Sequence, residues 1–369
     1  MSVKIPFIPE KCHSKCDSRE GHMPQVLMIG AAAARNIAAA TIVVLGVVLA
    51  GEAIGGNDQT WPVHGKIVGK KDKKSEDVSG IACDAQLGFP RSCLVIDDNV
   101  QEAQFVTVKD GEIVAGKTIA LIDNAFEGKA LELDGEGVSY ADGFYYVIGS
   151  HGHPRDSDHK LDPTRDAAKI AARIAAASQI VRFRVGGDGA ASGVERTEKL
   201  RTMIMQQPNL AGAVDRRLEN NGLTIEGIAV RRRRILAGFR GPSLDGGRAA
   251  VLSVAVNSAF GNAPPDARLH RLPLGNGTGI RDLAVYRDGI LVLAGPTASD
   301  PGPYAVYWWD GERDSVKLLK DLADVVGPVG ERKAEGLLAL DENASGLRVL
   351  ILFDGEKEGA PVAITISRP

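Results

Sequence analysis

From about residue 79 onward the chain repeats one pattern of polar and apolar positions. A polar or acidic residue is followed by a small residue, a short apolar run, a turn and a second apolar run. Five segments open the repeat: SGIACD (79–84), EGVSYA (136–141), EGIAVR (226–231), RDLAVY (281–286) and EGLLAL (335–340). Their partners are SCLVIDD (92–98), FYYVIGSHG (144–152), RILAGFRGP (234–242), ILVLAGPT (290–297) and RVLILFDGE (348–356). Short aliphatic runs bounded by Gly- and Asp-containing turns predict paired β-strands. Self-similarity at a period of roughly 50 residues is the mark of a β-propeller.

Gly80, Gly137, Gly227, Asp282 and Gly336 serve as register marks, spaced by 57, 90, 55 and 54 residues. The stretch after Gly336 and the stretch from Trp61 to Gly80 together make one more repeat. An all-β, five-bladed propeller over 61–369 is therefore expected. Its N-terminal strand VHGKIVG (63–69) is expected to close the last blade by pairing with PVAITIS (361–367), which hides the open ends of the ring. A sixth blade would have to fit in the 90-residue interval, where only QIVRFRV (179–185) stands out as a further strand. That interval instead reads as one blade with insertions at about 152–178 and 187–222. Asp162 and Pro163 supply a cap and a first-turn residue for a helix running to Ala177,. PNLAGAVDRRLENNGL, after Gln206, predicts a second helix, and the two would wall a pocket over the axial mouth.

Ahead of the repeat, Ile37–Ala50 is an uncharged apolar run preceded by Arg35. It is shorter than the roughly 20 residues of a membrane span and reads as a signal peptide or signal-anchor over 23–53. Residues 1–22 are polar, carry Cys12 and Cys16, and are expected to lie outside the mature fold, with initiation at Met23 or Met28. The domain is thus expected in the periplasm or secreted, monomeric, and touching membrane only through an uncleaved anchor. Cys83 and Cys93 would face each other across a hairpin centred on Gly88, either as a disulfide or as two buried thiols,. A net charge of −3 gives no basic face for nucleic acid,.

Propeller geometry turns this register into chemistry. The first strand of each blade lines the axis, so Ser79, Glu136, Glu226, Asp282 and Glu335 are expected to converge there. So many carboxylates cannot all stay ionised without a counter-charge. Either a hard cation, Ca²⁺ for an exported protein, is held by these oxygens, or backbone N–H groups satisfy them. The second strands end on the same face and bring Asp97, Asp98, His151, His153 and Arg240 to the mouth. Arg240 would either clamp an anion or pair with an axial carboxylate, and His151 would move a proton. SHGHPRDSDH (150–159) is rich enough in His and Asp for a transition metal, and the Arg231–Arg234 run falls in a turn on the opposite face.

The repeat resembles an uncharacterised family of exported bacterial propellers. The axial series also resembles the calcium-activated nucleotidases (apyrases), five-bladed propellers with Ca²⁺ in the central tunnel. On that likeness Ser79, Glu136, Glu226 and Glu335 fall at cation-binding positions, while Asp282 stands where the pattern has Ser. The likeness covers the blade pattern of about 300 residues and implies a site type, not a substrate. G-x-S-x-G, P-loop and H-E-x-x-H signatures are absent,. Two functions follow: an exported propeller binding a small anionic ligand or an envelope protein beside an axial cation, or a Ca²⁺-dependent hydrolase of a phosphate ester or similar anion.

Overall fold

The computed structural model describes residues 60–155, 161–186 and 190–369. The expected leader, Cys12, Cys16 and residues 156–160 of the His/Asp-rich segment lie outside them. Among the described residues no helix is long and apolar enough to cross a membrane.

The described chain forms five blade sheets, antiparallel except for one short strand at the edge of the first, and one two-stranded hairpin. Blade one holds β2 (Val78–Cys83), β3 (Arg91–Asp97), β4 (Glu102–Lys109) and β5 (Glu112–Ala120), with β1 (Val63–His64) added at its outer edge. A small hairpin, β6 (Ala125–Phe126) with β7 (Lys129–Ala130), leads to blade two: β8 (Gly135–Ala141), β9 (Phe144–Gly149), β10 (Ile180–Val185) and β11 (Ala191–Thr197). Helix α1 (Ala167–Ala177) joins β9 to β10. Helices α2 (Lys199–Met205) and α3 (Pro208–Ala211) lead to blade three: β12 (Thr224–Arg231), β13 (Arg234–Gly241), β14 (Ala249–Ala255) and β15 (Ala267–Leu272), with α4 (Val256–Phe260) between the last two. Blade four is β16 (Thr278–Tyr286), β17 (Gly289–Pro296), β18 (Ala305–Trp309) and β19 (Val316–Asp321). After α5 (Ala323–Val326), blade five has three strands, β20 (Lys333–Asn343), β21 (Gly346–Asp354) and β22 (Val362–Ile366).

Five apolar cores sit between the blades, one at each junction. Leu94 and Ile96 of blade one, for example, pack on Val147 and Phe183 of blade two, and Leu338 and Leu350 of blade five pack on Ile81 and Val95 of blade one. Each sheet is thus covered on both faces, which explains why the central strands read as unbroken apolar runs rather than alternating ones. β17 (GILVLAGP) is buried at every position. The inner strands pack in the closed order β2, β8, β12, β16, β20 and back to β2. Glycine sets their spacing. A Cβ on Gly80 would lie 2.9 Å from the Gly137 Cα, and one on Gly227 would lie 2.9 Å from the Leu283 nitrogen.

The expected closure is corrected. Val63 and His64 pair in parallel with Ile113 and Val114 of blade one, not with blade five. Contact with blade five is made just upstream, where Thr60 bridges to Val362 and the Trp61 N–H donates to the Pro361 carbonyl. Pro62 then turns the chain across the junction, and its carbonyl accepts from the Ile113 N–H. Buried Trp61 fills the junction core, so the segment clasps two blades instead of completing one.

The blade-two insertion also differs in detail. Asp162 Oδ1 accepts from the Thr164 and Arg165 N–H groups, as a cap should, but this turn precedes a regular helix that begins only at Ala167. The helix expected after Gln206 is one turn, and the longer helix, α2, comes before it. Cys83 and Cys93 sit opposite each other in register and form a disulfide.

Candidate functional site: an axial charge network and an off-axis acidic cleft

All five inner strands break register near the axis. The irregularities fall between Val78 and Gly80, Gly135 and Gly137, Ile225 and Gly227, Ile280 and Asp282, and Ala334 and Gly336. In each case one extra residue is left out of the ladder, and a bulge of this kind re-aims its side chain. The displaced residues are Ser79, Glu136, Glu226, Arg281 and Glu335. The fourth blade therefore contributes Arg281 to the ring, not Asp282, which takes the place that glycine holds in the other blades.

This single-residue shift changes the electrostatics. Arg281, 1% exposed, pairs through Nε with Glu226 Oε2 at 3.1 Å and through Nη2 with Glu335. Arg240 Nη1 donates to Glu226 Oε1 at 2.9 Å, and its other nitrogens donate to the Thr297 and Ala298 carbonyls. Arg155 lies 3.9 Å from Glu226. Burial alone would push the Glu226 carboxyl up; Arg240, Arg281 and Arg155 overcome it and hold it below the usual range. Burial raises Glu335, with Arg281 opposing. The counter-charge for these two carboxylates is thus supplied by guanidinium groups of the chain itself.

Asp282 is fully buried and bonded to backbone. Its Oδ1 accepts from the Leu283 N–H at 2.7 Å and its Oδ2 from the Leu337 N–H at 2.8 Å, tying blade four to blade five. Ser79 Oγ donates to the Asp77 carbonyl at 3.4 Å.

Glu136 behaves differently from the rest of the ring. It is 7% exposed, accepts no hydrogen bond and makes no ion pair among the described residues. Its carboxylate instead gathers with Asp98 and Asp134, ligand atoms all within 4.8 Å of one another. Burial, then the neighbouring acids Glu226, Asp134 and Asp98, drives its carboxyl well above the usual range; burial and Asp134 do the same to Asp98. Asp134 is raised by burial, against a hydrogen bond from Ser150 Oγ. A second trio, Asp77, Asp97 and Asp98, shares Asp98 with the first. Burial pushes Asp97 up to about 6, against hydrogen bonds from Ser75 Oγ and the Asn99 N–H.

The first trio floors a cleft of about 660 Å³ on the mouth face, at the junction of blades one and two. Its walls come from the β6–β7 hairpin, from α1, which carries Lys169 and Arg173, and from the segments before β2 and after β9, which bring Lys70 and Arg155. Lys70 bonds Glu132 at 2.7 Å, with Arg173 3.9 Å from the same carboxylate. An acidic floor under a basic rim suits a divalent cation with an anionic ligand above it.

His151 stands outside this cleft. It is fully buried with φ +56°, its Nδ1 contacts the Gly149 carbonyl at 2.9 Å, and Arg201 donates to its own carbonyl. Burial lowers it to about 4, so its ring is neutral at physiological pH. Arg240 is at the axis, locked to Glu226 rather than free to clamp a ligand. Arg232 and Arg233 form the tip of the β12–β13 turn, where Arg232 pairs with Glu312. Sequence reasoning brought Asp97, Asp98 and Glu136 to the right face but missed Arg281, Asp77 and Asp134. The paired dipeptides Ser79-Gly80, Glu136-Gly137, Glu226-Gly227, Arg281-Asp282 and Glu335-Gly336 carried the signal for Arg281.

Five blades closed in a ring, with paired charges at the axis and an acidic cleft beside it, define a five-bladed β-propeller. The family described as "protein of unknown function (DUF3616)" matches residues 79–186 and 188–361, and the chain belongs to it. No curated protein matches the chain. Solved structures similar to it include the Trypanosoma rangeli sialidase in complex with a difluoro-KDN (9% identity, 80% of this chain and 46% of that one, TM-score 0.36). A putative 6-phosphogluconolactonase from Bacteroides uniformis (10%, 80% and 73%, 0.31) and the native Bacillus subtilis arabinanase (9%, 79% and 95%, 0.37) are also similar. The chain spans under half of the sialidase, and these likenesses concern fold alone.

Proposed function

We propose that this protein binds a small anionic ligand in the cleft through a divalent cation, Ca²⁺ in an oxidising envelope compartment, held by Asp98, Asp134 and Glu136. The observation that carries the reading is the Glu136 carboxylate, buried, without a hydrogen bond or ion pair, and aimed at two other carboxylates. Burying an uncompensated charge is costly, and an oxygen-ligated cation removes that cost. The rim cations then favour an anion that completes the coordination shell. The Cys83–Cys93 disulfide is compatible with an exported protein. With Arg281 and Arg240 already neutralising Glu226 and Glu335, the cation moves from the axis expected from sequence to the blade one–two junction.

The test is calorimetric titration of chelator-treated protein with Ca²⁺, followed by inorganic phosphate into the Ca²⁺-loaded form. Saturable Ca²⁺ binding that disappears in Glu136→Gln is expected, with phosphate binding only when Ca²⁺ is present. At a hundredfold excess over Kd the ion should add about 2.7 kcal/mol of stability. Absence of Ca²⁺ binding, or binding unchanged in Glu136→Gln, would sink the reading.

A further inference from the structure

One guanidinium nitrogen at the axis has no partner. Arg281 Nε lies 3.1 Å from Glu226 Oε2 and Nη2 pairs with Glu335, but Nη1 is buried without a hydrogen bond. A buried charged donor left unpaired carries the full penalty of its lost hydration. Arg240, which shares Glu226 with Arg281, is engaged at every nitrogen: Nη1 with Glu226, Nε and Nη2 with the Thr297 and Ala298 carbonyls. Those bonds hold the segment after β17 over the two arginines. The result is a hollow of about 40 Å³ between blades four and five. Buried Arg240, Arg281 and Tyr304 line it, and exposed Ser299, Asp300 and Glu331 stand at its outer edge.

Size and charge restrict what can sit there. One water needs about 10–15 Å³ of such space, so the hollow takes a group of about two or three non-hydrogen atoms. A carboxylate head fits and a phosphate group is too large. Two guanidinium groups face two carboxylates at this level. Burial raises Glu335 to about 7, with Arg281 opposing, so the two carboxylates are not fully ionised at neutral pH and the surplus is positive. Asp300 and Glu331 are exposed, where water and salt screen their charge,. A second hollow, of about 370 Å³, shares Pro301, Tyr304 and Gly330 with the first. Its remaining lining is largely apolar, including Pro303, Val326 and Val329, the last 61% exposed.

We propose that the junction of blades four and five binds a small carboxylic acid with an apolar body. The carboxylate accepts from Arg281 Nη1 in the inner hollow, and the body lies along the proline-lined outer one. This site is separate from the acidic cleft, needs no metal, and does not rest on the cation assigned there.

The test is calorimetric titration of the full chain with acetate, butyrate and hexanoate, and with the neutral butyramide and hexanamide. Chelator is present throughout, so the cleft cation plays no part. Saturable binding of the carboxylates is expected, and none of the amides. Affinity should rise roughly threefold for each CH₂ that is buried. Arg281→Lys keeps a positive charge beside Glu226 and Glu335 but removes Nη1, and should weaken every carboxylate by roughly tenfold or more, the worth of one hydrogen bond between charged groups. Circular dichroism checks that the variant is folded. Should it fail to fold, Val329→Asp, at an exposed position, locates the site instead: it should weaken hexanoate and leave acetate unchanged. Absence of carboxylate binding, amides that bind as tightly as the acids, or binding unchanged in folded Arg281→Lys would each overturn the proposal. Equal affinity for acetate and hexanoate, or hexanoate binding unchanged in Val329→Asp, removes the outer hollow from the site.

Discussion

Replacing Arg281 by Met isolates the role of the axial guanidinium. The side chain is buried and pairs with two carboxylates, and methionine keeps its aliphatic stem while removing the charge. Glu226 would keep Arg240 at 2.9 Å, but Glu335 makes no other ion pair among the described residues. Removing one partner of a buried pair costs about 3–5 kcal/mol, because the remaining charge is left uncompensated. A domain of about 300 residues has an unfolding entropy near 0.6 kcal/mol per kelvin, so the loss reads as a Tm lower by about 5–8 °C. The pH dependence supplies a second readout. In the native protein burial already raises the Glu335 carboxyl to about 7 with Arg281 opposing; in the variant it rises further, so the cost grows as the pH rises through 7 to 8 and disappears as the pH falls toward about 4.5 and the group is protonated in both states,. The Arg281→Met, Glu335→Gln double variant removes the stranded charge and should regain most of the loss. Urea unfolding at pH 8 and pH 5 measures all of this. A deficit under about 1 kcal/mol that does not change with pH would show that water solvates the axis and that the network is not a buried one.

Metal-free protein should become more stable as the pH falls from 7 to 5. Asp97, raised to about 6, is a cost of up to about 3 kcal/mol at neutral pH that protonation relieves,; with Ca²⁺ present the trend should reverse, because protons then compete with the ion, and melting curves with and without chelator decide the matter. Gly227→Ala places a methyl group against the Leu283 backbone and should cost about 1–3 kcal/mol by denaturant unfolding,; an unchanged midpoint would show that blade spacing is not set there. Asp282→Ala leaves two buried N–H groups unbonded and should lose about 2–4 kcal/mol without altering Ca²⁺ affinity,; a loss of ion binding would return Asp282 to the site. Thiol labelling of unreduced, denatured protein should leave Cys83 and Cys93 unmodified, and their reduction should remove roughly 2–3 kcal/mol, as a ten-residue loop predicts,.

The blades were readable because each inner strand begins with a small residue and continues as an apolar run, a pattern that two-sided burial imposes. β11 escaped notice because its residues are largely exposed, so no face of it is marked by hydrophobic side chains. The clasp at residues 60–64 was half legible: repeat arithmetic placed it at the ring's seam, but backbone bonds of Pro62 and Trp61 decide which blade receives it. The ring was misread at one blade because chemical type was weighed above position, and Asp282 looked like its neighbours' glutamates while Arg281 held the equivalent place. Asp77 and Asp134 carry no strand pattern of their own. They precede β2 and β8, and only the folded junction shows that each approaches Asp98.

The axial network has a consequence for traffic. Arg281, Glu226 and Glu335 are buried and paired across the middle, so charged side chains of the chain itself occupy the axis at that level. The hollow at the far end, lined by residues such as Val138, Leu283 and Leu338, measures only about 50 Å³. An anion held over Glu136, as proposed, would pass Lys70, Arg155, Lys169 and Arg173 on its way in and out, so substitutions at that rim should change its rates of entry and release rather than the fold.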